Sequence, residues 1–358
     1  MVTEKIFETA LGISTPWFIA GMNFDPSQKK LNIRVDFEVG SRFAVPGQGG
    51  EHPVHDTVTK TYRHLNFFQY ECVLEVRIPR VKLADGSVRQ VSPEWAGKLS
   101  GFTLLFEAFV LLLARETTFT GAARISGLSV HRVMSLCQRY VDEAVSAADF
   151  SEVRRLAIDE TSRAKGHDYV SLFADADPDP ERRRVLFVAE GREAETVGAF
   201  AANLRAHGGK PTEIASISID MSPAFIKGVE EHFPKAQITF DKFHLIAHAS
   251  EAITTMRREE QQRDPSLKGL RWVLLKDRSK LTHAQRAELD GLLSRMTTNR
   301  TARAWQYREQ LRDILTRKQP TVVARLLNAW CSNVLRSKVE PMKKVAEMIR
   351  SHFDGILA

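Results

Sequence analysis

The sequence predicts an α/β protein: a mixed sheet flanked by helices, preceded by a β-rich segment and followed by an all-helical one. Three observations carry that expectation. Between residues 156 and 244, three short apolar runs each deliver an aspartate: Leu156-Ala157-Ile158-Asp159-Glu160, Ile217-Ser218-Ile219-Asp220-Met221 and Ile238-Thr239-Phe240-Asp241. Residues 15–91 hold stretches that alternate apolar and polar with period two, as in Leu31-Asn32-Ile33-Arg34-Val35-Asp36-Phe37 and Cys72-Val73-Leu74-Glu75-Val76-Arg77-Ile78, the mark of half-buried strands. Residues 251–350 are dense in mixed-sign charge at helical spacing.

The central stretch is read first. β-branched residues dominate the three aspartate-bearing runs, and each is short enough for a buried strand. Two more strand-like runs, 169–174 and 185–189, precede a helix over 194–206. The order strand, strand, strand, helix, strand, helix, strand fits a mixed sheet with helical cover. In such sheets the carboxyl ends of adjacent parallel strands open on one crevice, where Asp159, Asp220 and also Asp241 would meet. Carboxylates so placed repel unless one takes a proton or cations lie between them. Magnesium is the favoured resolution, since it takes oxygen ligands from one or two carboxylates and from substrate phosphates. Taken singly, each aspartate reads better as a strand-end or helix-capping residue than as a site, and Asp220 ahead of Ser222-Pro223 would suit a cap. It is the repetition at successive strand ends that favours a site.

Composition narrows the partners. A chain of 358 residues, 43% hydrophobic and 27% charged, is long enough for two or three domains with real cores. The formal net charge of +7 favours a polyanion, although proteins that bind none also carry such an excess. Cys72, Cys137 and Cys331 are scattered and odd in number, which indicates no disulfide framework and fits a reducing, cytoplasmic setting. Glu4, Lys5 and Glu8 near the start argue against a secretory leader. The longest apolar run, 108–114 with 102–106 ahead of Glu107, is too short for a membrane span and reads as a buried helix.

Within the helical stretch 94–148, Thr120-Gly121-Ala122-Ala123-Arg124-Ile125, a turn at Gly127-Leu128-Ser129 with Ser129 as N-cap, and a second helix over 130–141 form a helix-turn-helix candidate. His131, Arg132, Ser135, Gln138 and Arg139 would line its exposed face, suited to phosphates and base edges. The plain alternative is two packed helices with ordinary caps. Asp175-Ala176-Asp177-Pro178-Asp179-Pro180 imitates a calcium loop but lacks its glycine and closing glutamate, so it reads as a hairpin connection. Lys165 and His167 either face a substrate phosphate or lie in a solvated loop. Further on, Arg271, Lys276, Arg278, Lys280, Arg300 and Arg303, with Trp272 and Trp305 interleaved, read either as solvated helix faces or as a basic platform for DNA.

Longer motifs bring a resemblance. Ile158-Asp159-Glu160-Thr161, Lys165-Gly166-His167-x-Tyr169, Ser218-Ile219-Asp220-Met221-Ser222-Pro223-Ala224-Phe225, Phe233-Pro234-x-Ala236 and Phe240-Asp241-x-Phe243-His244 resemble the ISL-three type of bacterial insertion-sequence transposases. The likeness extends to Pro16-Trp17, Arg63-His64-Leu65-x-Phe67-Phe68 and His352-x-Asp354-Gly355-Ile356-Leu357. It implies an RNase H-like core with a DDE carboxylate triad. Asp159 and Asp220 would be the first two acids, holding two magnesium ions, and Asp241 and His244 would match a D-x-x-H signature. The family's third acid is a glutamate beyond the D-G-I-L motif; Glu340 and Glu347 precede that motif and are not assigned, so the chain as given is expected to lack its last catalytic helix.

The resemblance also implies two zinc knuckles, whose cysteines would fall at Val45, Gln48, Leu83 and Gly86. None is cysteine, and His52, His55 and His64 are too few and unpatterned to replace them, so no zinc is expected. It tips the helix-turn-helix candidate toward DNA binding. The expected division is 1–93 β-rich, 94–150 helix-turn-helix-like, 151–250 catalytic core and 251–358 helical insertion. The expected partners are DNA, as terminal inverted repeats and target, and a second copy in the working complex, with no membrane. The competing expectation is a non-catalytic DNA-binding relic or fragment.

Overall fold

The structure, a computed structural model, describes residues 2–99, 101–164 and 168–358; Lys165 and His167 lie outside the described residues. It divides into two compact units, one ending at Ala148 and the other running Asp149–Ala358. The described residues form two mixed sheets and thirteen α-helices. None of those helices is long and apolar enough to cross a membrane.

The first unit begins with helix α1 (Val2–Leu11) and continues through β1 (Trp17–Asp25), β2 (Lys30–Phe37), β3 (Arg42–Ala44), β4 (Glu51–Arg63), β5 (Glu71–Lys82) and β6 (Val88–Gln90). The strands form one sheet in the order β1-β2-β5-β4-β3, with β6 also on β5. β2 and β5 run parallel, and the other neighbours antiparallel. The period-two pattern explains the core: Leu31, Ile33 and Val35 of β2 and Cys72, Leu74, Val76 and Ile78 of β5 all point to the buried face. The two turns where the resemblance puts zinc knuckles keep a backbone turn without cysteine. Gln48 N–H donates to the Val45 carbonyl at 3.0 Å and Gly86 N–H to the Leu83 carbonyl at 3.0 Å, while Val45 and Leu83 pack on the apolar core.

Helices α2 (Leu104–Glu116), α3 (Phe119–Ser126) and α4 (Val130–Ser146) complete this unit. Trp95 packs on the sheet's core, and buried His64 meets Thr103, the N-cap of α2, at 2.8 Å. Burial first, then the neighbouring Arg63 charge, pushes the His64 imidazole down to about 4, so at neutral pH the ring is an uncharged structural partner. The expectation of a buried helix over the longest apolar run is corrected. Only Phe106, Glu107 and Val110 of α2 are buried, while Leu104, Leu105 and Leu112 are exposed, because the helix contributes one stripe to a three-helix cluster. Glu107 is buried for a reason: its carboxylate accepts from Lys98 N–H, Leu99 N–H and the Tyr140 hydroxyl, at 2.9, 2.7 and 2.7 Å.

The second unit opens with β7 (Arg155–Ala164), β8 (Asp168–Asp175), β9 (Val185–Glu190), α5 (Ala194–Ala206), β10 (Ser216–Ile219), α6 (Pro223–His232) and β11 (Gln237–Phe240). The sheet order is β11-β10-β7-β8-β9. β7, β8 and β9 pair antiparallel, and β10 lies parallel to both β7 and β11. Phe173 of β8 stacks on Phe200 of α5 with centroids 4.6 Å apart, and Phe200 in turn meets Phe233, so aromatic packing fixes this helical cover on the sheet. The aspartate-rich stretch joins β8 to β9: Asp175, Asp177 and Asp179 each accept the backbone N–H two residues on, a run of Asx turns.

Helix α7 (Lys242–Gln261) leaves the end of β11 and runs unbroken across residue 250 into the helical region, which comprises α8 (Arg271–Leu275), α9 (His283–Leu293), α10 (Arg300–Leu315), α11 (Pro320–Leu335), α12 (Glu340–Ser351) and α13 (Phe353–Leu357). Leu245, Ile253 and Met256 of α7, Leu311 of α10, Leu327 of α11 and Ile349 of α12 share one apolar core. At the far end of α7, buried Glu260 accepts from the backbone N–H groups of Arg300 and Thr301 at 2.9 and 2.6 Å and from the Thr301 hydroxyl at 2.7 Å, closing the start of α10. Trp305 is buried in the apolar core, and Arg300 is held by Glu260, whereas Trp272, Arg271, Lys276 and Lys280 stay exposed.

Candidate active site and nucleic-acid interface

The parallel register brings the aspartates to one edge of the sheet. Ser218 of β10 pairs with Ala157 of β7, so two residues further along each chain Asp220 comes level with Asp159. Ile219 pairs with Phe240 of β11, and Asp241, one residue on, donates its N–H to the Ile219 carbonyl at 3.2 Å. Asp220 and Asp241 directly follow the ends of β10 and β11, whereas Asp159 lies midway along β7, which runs on beside β8 to Ala164. The expectation that all three aspartates end strands is corrected, and with neighbouring strands about 4.8 Å apart Asp159 stands level with the ends of the two shorter strands.

Each carboxylate is anchored by one oxygen. Asp159 Oδ1 accepts from Glu160 N–H at 2.8 Å, and Asp220 Oδ1 accepts from Ser222 N–H at 2.9 Å, ahead of α6. Among the described residues, Oδ2 of neither has a further partner. Asp241 serves differently: it is the N-cap of α7, accepting from Phe243 N–H at 2.8 Å. The cap turns the next helical residues toward the sheet edge, and His244 Nε2 comes within 3.9 Å of Asp159 Oδ1. That partnership joins residues 85 positions distant in sequence order and was not legible there, since the D-x-x-H motif says nothing of Asp159. Among the described residues no three His, Cys, Asp or Glu side chains close into a group that could hold a metal ion.

The edge is flanked by cationic side chains that the sequence did not single out. A cavity of about 390 Å³ is lined by Asp241, Lys242, Arg317 and Lys318 together with apolar Phe240 and Val323. Lys242 opens α7, and Arg317 and Lys318 lie in the α10–α11 connection. Only folding brings the two positions together, so no local signal could have found them.

In the other unit the helix-turn-helix elements are as the sequence indicates. Gly127 ends α3 at φ +73, a left-handed conformation that suits glycine, and the Ser129 side chain accepts from Arg132 N–H to cap α4. Val133 and Leu136 are buried against α2 and α3, while His131, Gln138 and Arg139 are exposed and Ser135 half-buried. At 3.6 residues per turn His131, Arg132, Ser135, Gln138 and Arg139 fall within an arc of about 120°. Two are already engaged: the Arg132 guanidinium lies 4.2 Å from the Phe102 ring centroid, and the Gln138 amide donates to Asp142 at 2.6 Å.

Residues 156–358 match a family model described as Transposase, that of the DDE transposases of ISL3. Residues 91–141 match the helix-turn-helix domain of transposase family ISL3. The chain is 28% identical over 316 residues to the transposase for insertion sequence element IS1001 of Bordetella parapertussis, covering 85% of this chain and 75% of that protein. It is 25% identical over 387 residues to the transposase for insertion sequence element IS1557 of Mycobacterium tuberculosis (strain CDC 1551 / Oshkosh), covering 98% of this chain and 85% of that protein. Together with the helix-turn-helix in one unit and the row of aspartates on neighbouring strands in the other, these matches place the chain in the ISL3 family of DDE transposases, the transposases of insertion sequences.

Proposed function

We propose that this transposase cuts the ends of its element and joins them to target DNA at the sheet edge, with Asp159 and Asp220 as two of its catalytic acids. The observation that carries the reading is the register of β10 on β7, which sets the two aspartates level on adjacent parallel strands. The order of the five-stranded sheet, three antiparallel strands followed by two parallel ones on the far side of β7, supports an RNase H-like core. A third acid is not assigned.

Both aspartates offer hard oxygen donors, and each keeps one oxygen without a partner among the described residues, so they fit magnesium better than a softer metal. They would hold it; when bound, it lowers the pKa of a coordinated water and offsets charge on the scissile phosphate. The Glu160 and Ser222 N–H groups fix the two carboxylates, and His244 stands beside Asp159. Hydrolysis frees a 3′-OH, whose oxygen then forms a new P–O bond to target DNA as a target P–O bond breaks. His131, Ser135 and Arg139 of α4 would meet base edges and phosphates of the terminal inverted repeat, with Arg271, Lys276 and Lys280 as a second basic surface. Residues 94–150 thus serve end recognition, 151–250 chemistry and 251–358 support, and two copies work together, one per end.

The test is cleavage of a labelled inverted-repeat end in magnesium. Asp159→Asn and Asp220→Asn should each abolish cleavage and leave the band shift of the uncut end unchanged. Cleavage retained in either variant overturns the assignment; a wild-type chain that shifts the end without cutting it is the non-catalytic binder.

A further inference from the structure

Phe243 is 70% exposed although it sits in the first turn of α7, between the Asp241 cap and His244, the residue that reaches Asp159. Its ring stands edge-on to the His244 ring, with centroids 5.8 Å apart. The next residue but one, Leu245, is fully buried, so the helix is firmly docked and the outward ring is not a sign of fraying. On the same turn Lys242 opens the cavity that it shares with Arg317 and Lys318. Phe243 directly follows Lys242, so its exposed ring adjoins one of the cations that line this cavity, and a ring with cations is the combination by which proteins hold single-stranded nucleic acid, the ring stacking a base and the cations following the backbone. A fully paired duplex offers no free base face to such a ring. A strand end that has lost its pairing does.

We propose that Phe243 is the stacking platform for an unpaired nucleotide at the DNA end, with Lys242, Arg317 and Lys318 holding its phosphates. The proposal rests on the DNA-end reading of the sheet edge and adds a positioning residue to it. Stacking on Phe243 holds the frayed strand beside Asp159, so that the scissile phosphate is presented to the carboxylates instead of sliding past them. Phe243 takes no part in bond making.

The test uses the full chain and two forms of the element's own terminal sequence, one fully paired and one with a single unpaired 3′ nucleotide, bound in EDTA so that no cleavage intervenes. Wild type should bind the unpaired form on the order of tenfold more tightly. Phe243→Ala should erase that preference while leaving affinity for the paired form unchanged. Phe243→Trp should keep the preference, and Phe243→Leu, which retains apolar bulk without a ring face, should lose it. The exposure of the side chain makes all three variants compatible with the fold. Equal affinity of wild type for both forms, a preference that survives Phe243→Ala, or a loss shared equally by both forms would each overturn the proposal while leaving end binding in place. A chain that binds neither form overturns the DNA-end reading itself, a different and separately visible result.

Discussion

Glu260→Ala should loosen the junction that joins α7 to α10, and the structure sets its size. Glu260 is 9% exposed and accepts from two backbone N–H groups, the Thr301 hydroxyl and the Arg300 guanidinium. Removing the carboxylate strips α10 of the acceptor for its first N–H groups and orphans the donors of Thr301, itself fully buried. At roughly 1–3 kcal/mol for each buried donor left unmade, the loss is about 3 kcal/mol. For a unit of this size that corresponds to a fall in melting temperature of roughly 6–12 °C. Glu260→Gln keeps one acceptor oxygen and should lose about half as much. Burial raises the Glu260 carboxyl, but the hydrogen bonds from Thr301 and Arg300 outweigh it and hold the group below the ordinary glutamate value. Its contribution is therefore fully present above the unfolded-state value of about 4.3 and is lost as pH falls through the lower folded value, so the gap between wild type and Glu260→Gln should close with acid. Differential scanning calorimetry reads the melting shift, and hydrogen exchange at Arg300 and Thr301 reads the local opening. A Glu260→Ala protein that melts with wild type and keeps protection at those two amides would refute the reasoning.

Three further outcomes follow from the same geometry. Gly127→Ala places a Cβ at φ +73 and should cost about 1 kcal/mol, with Ser129→Ala costing about as much through the lost cap of α4; both are read by chemical denaturation followed by circular dichroism. Arg139→Ala, if its side chain meets phosphate, should weaken end binding equally on all sequences and reduce the slope of log affinity against log salt by about 1. Burial pushes the Cys72 and Cys331 thiols up to about 11 each, so a thiol-specific reagent at pH 8 should leave both unlabelled in the native protein and reach them only in denaturant.

The elements of the five-stranded sheet were legible because their signals are local. Short β-branched runs before an aspartate mark β10, β11 and the first half of β7, which the structure extends to Ala164, and the 194–206 helix follows from its periodicity alone. Ser129 and Gly127 announce the helix-turn-helix for the same reason: a cap and a left-handed glycine each act over a few residues. The apolar run of α2 shows the limit of that logic. An unbroken run gives the helix but not how many of its sides are covered, and here Leu104, Leu105 and Leu112 stay exposed.

What the amino-acid order determined by itself was the succession of strands and helices, the helix-turn-helix and the aspartates that follow β10 and β11, since hydrophobic period and capping chemistry act between near neighbours. What only the tertiary structure decided was company. His244 meets Asp159, Glu260 caps a helix that starts 40 residues later, Arg132 lies on Phe102, and Trp305 is buried while Trp272 is exposed. Those pairings depend on sheet register and on which helix faces come to pack together, and both are set by the whole apolar core rather than by any one segment.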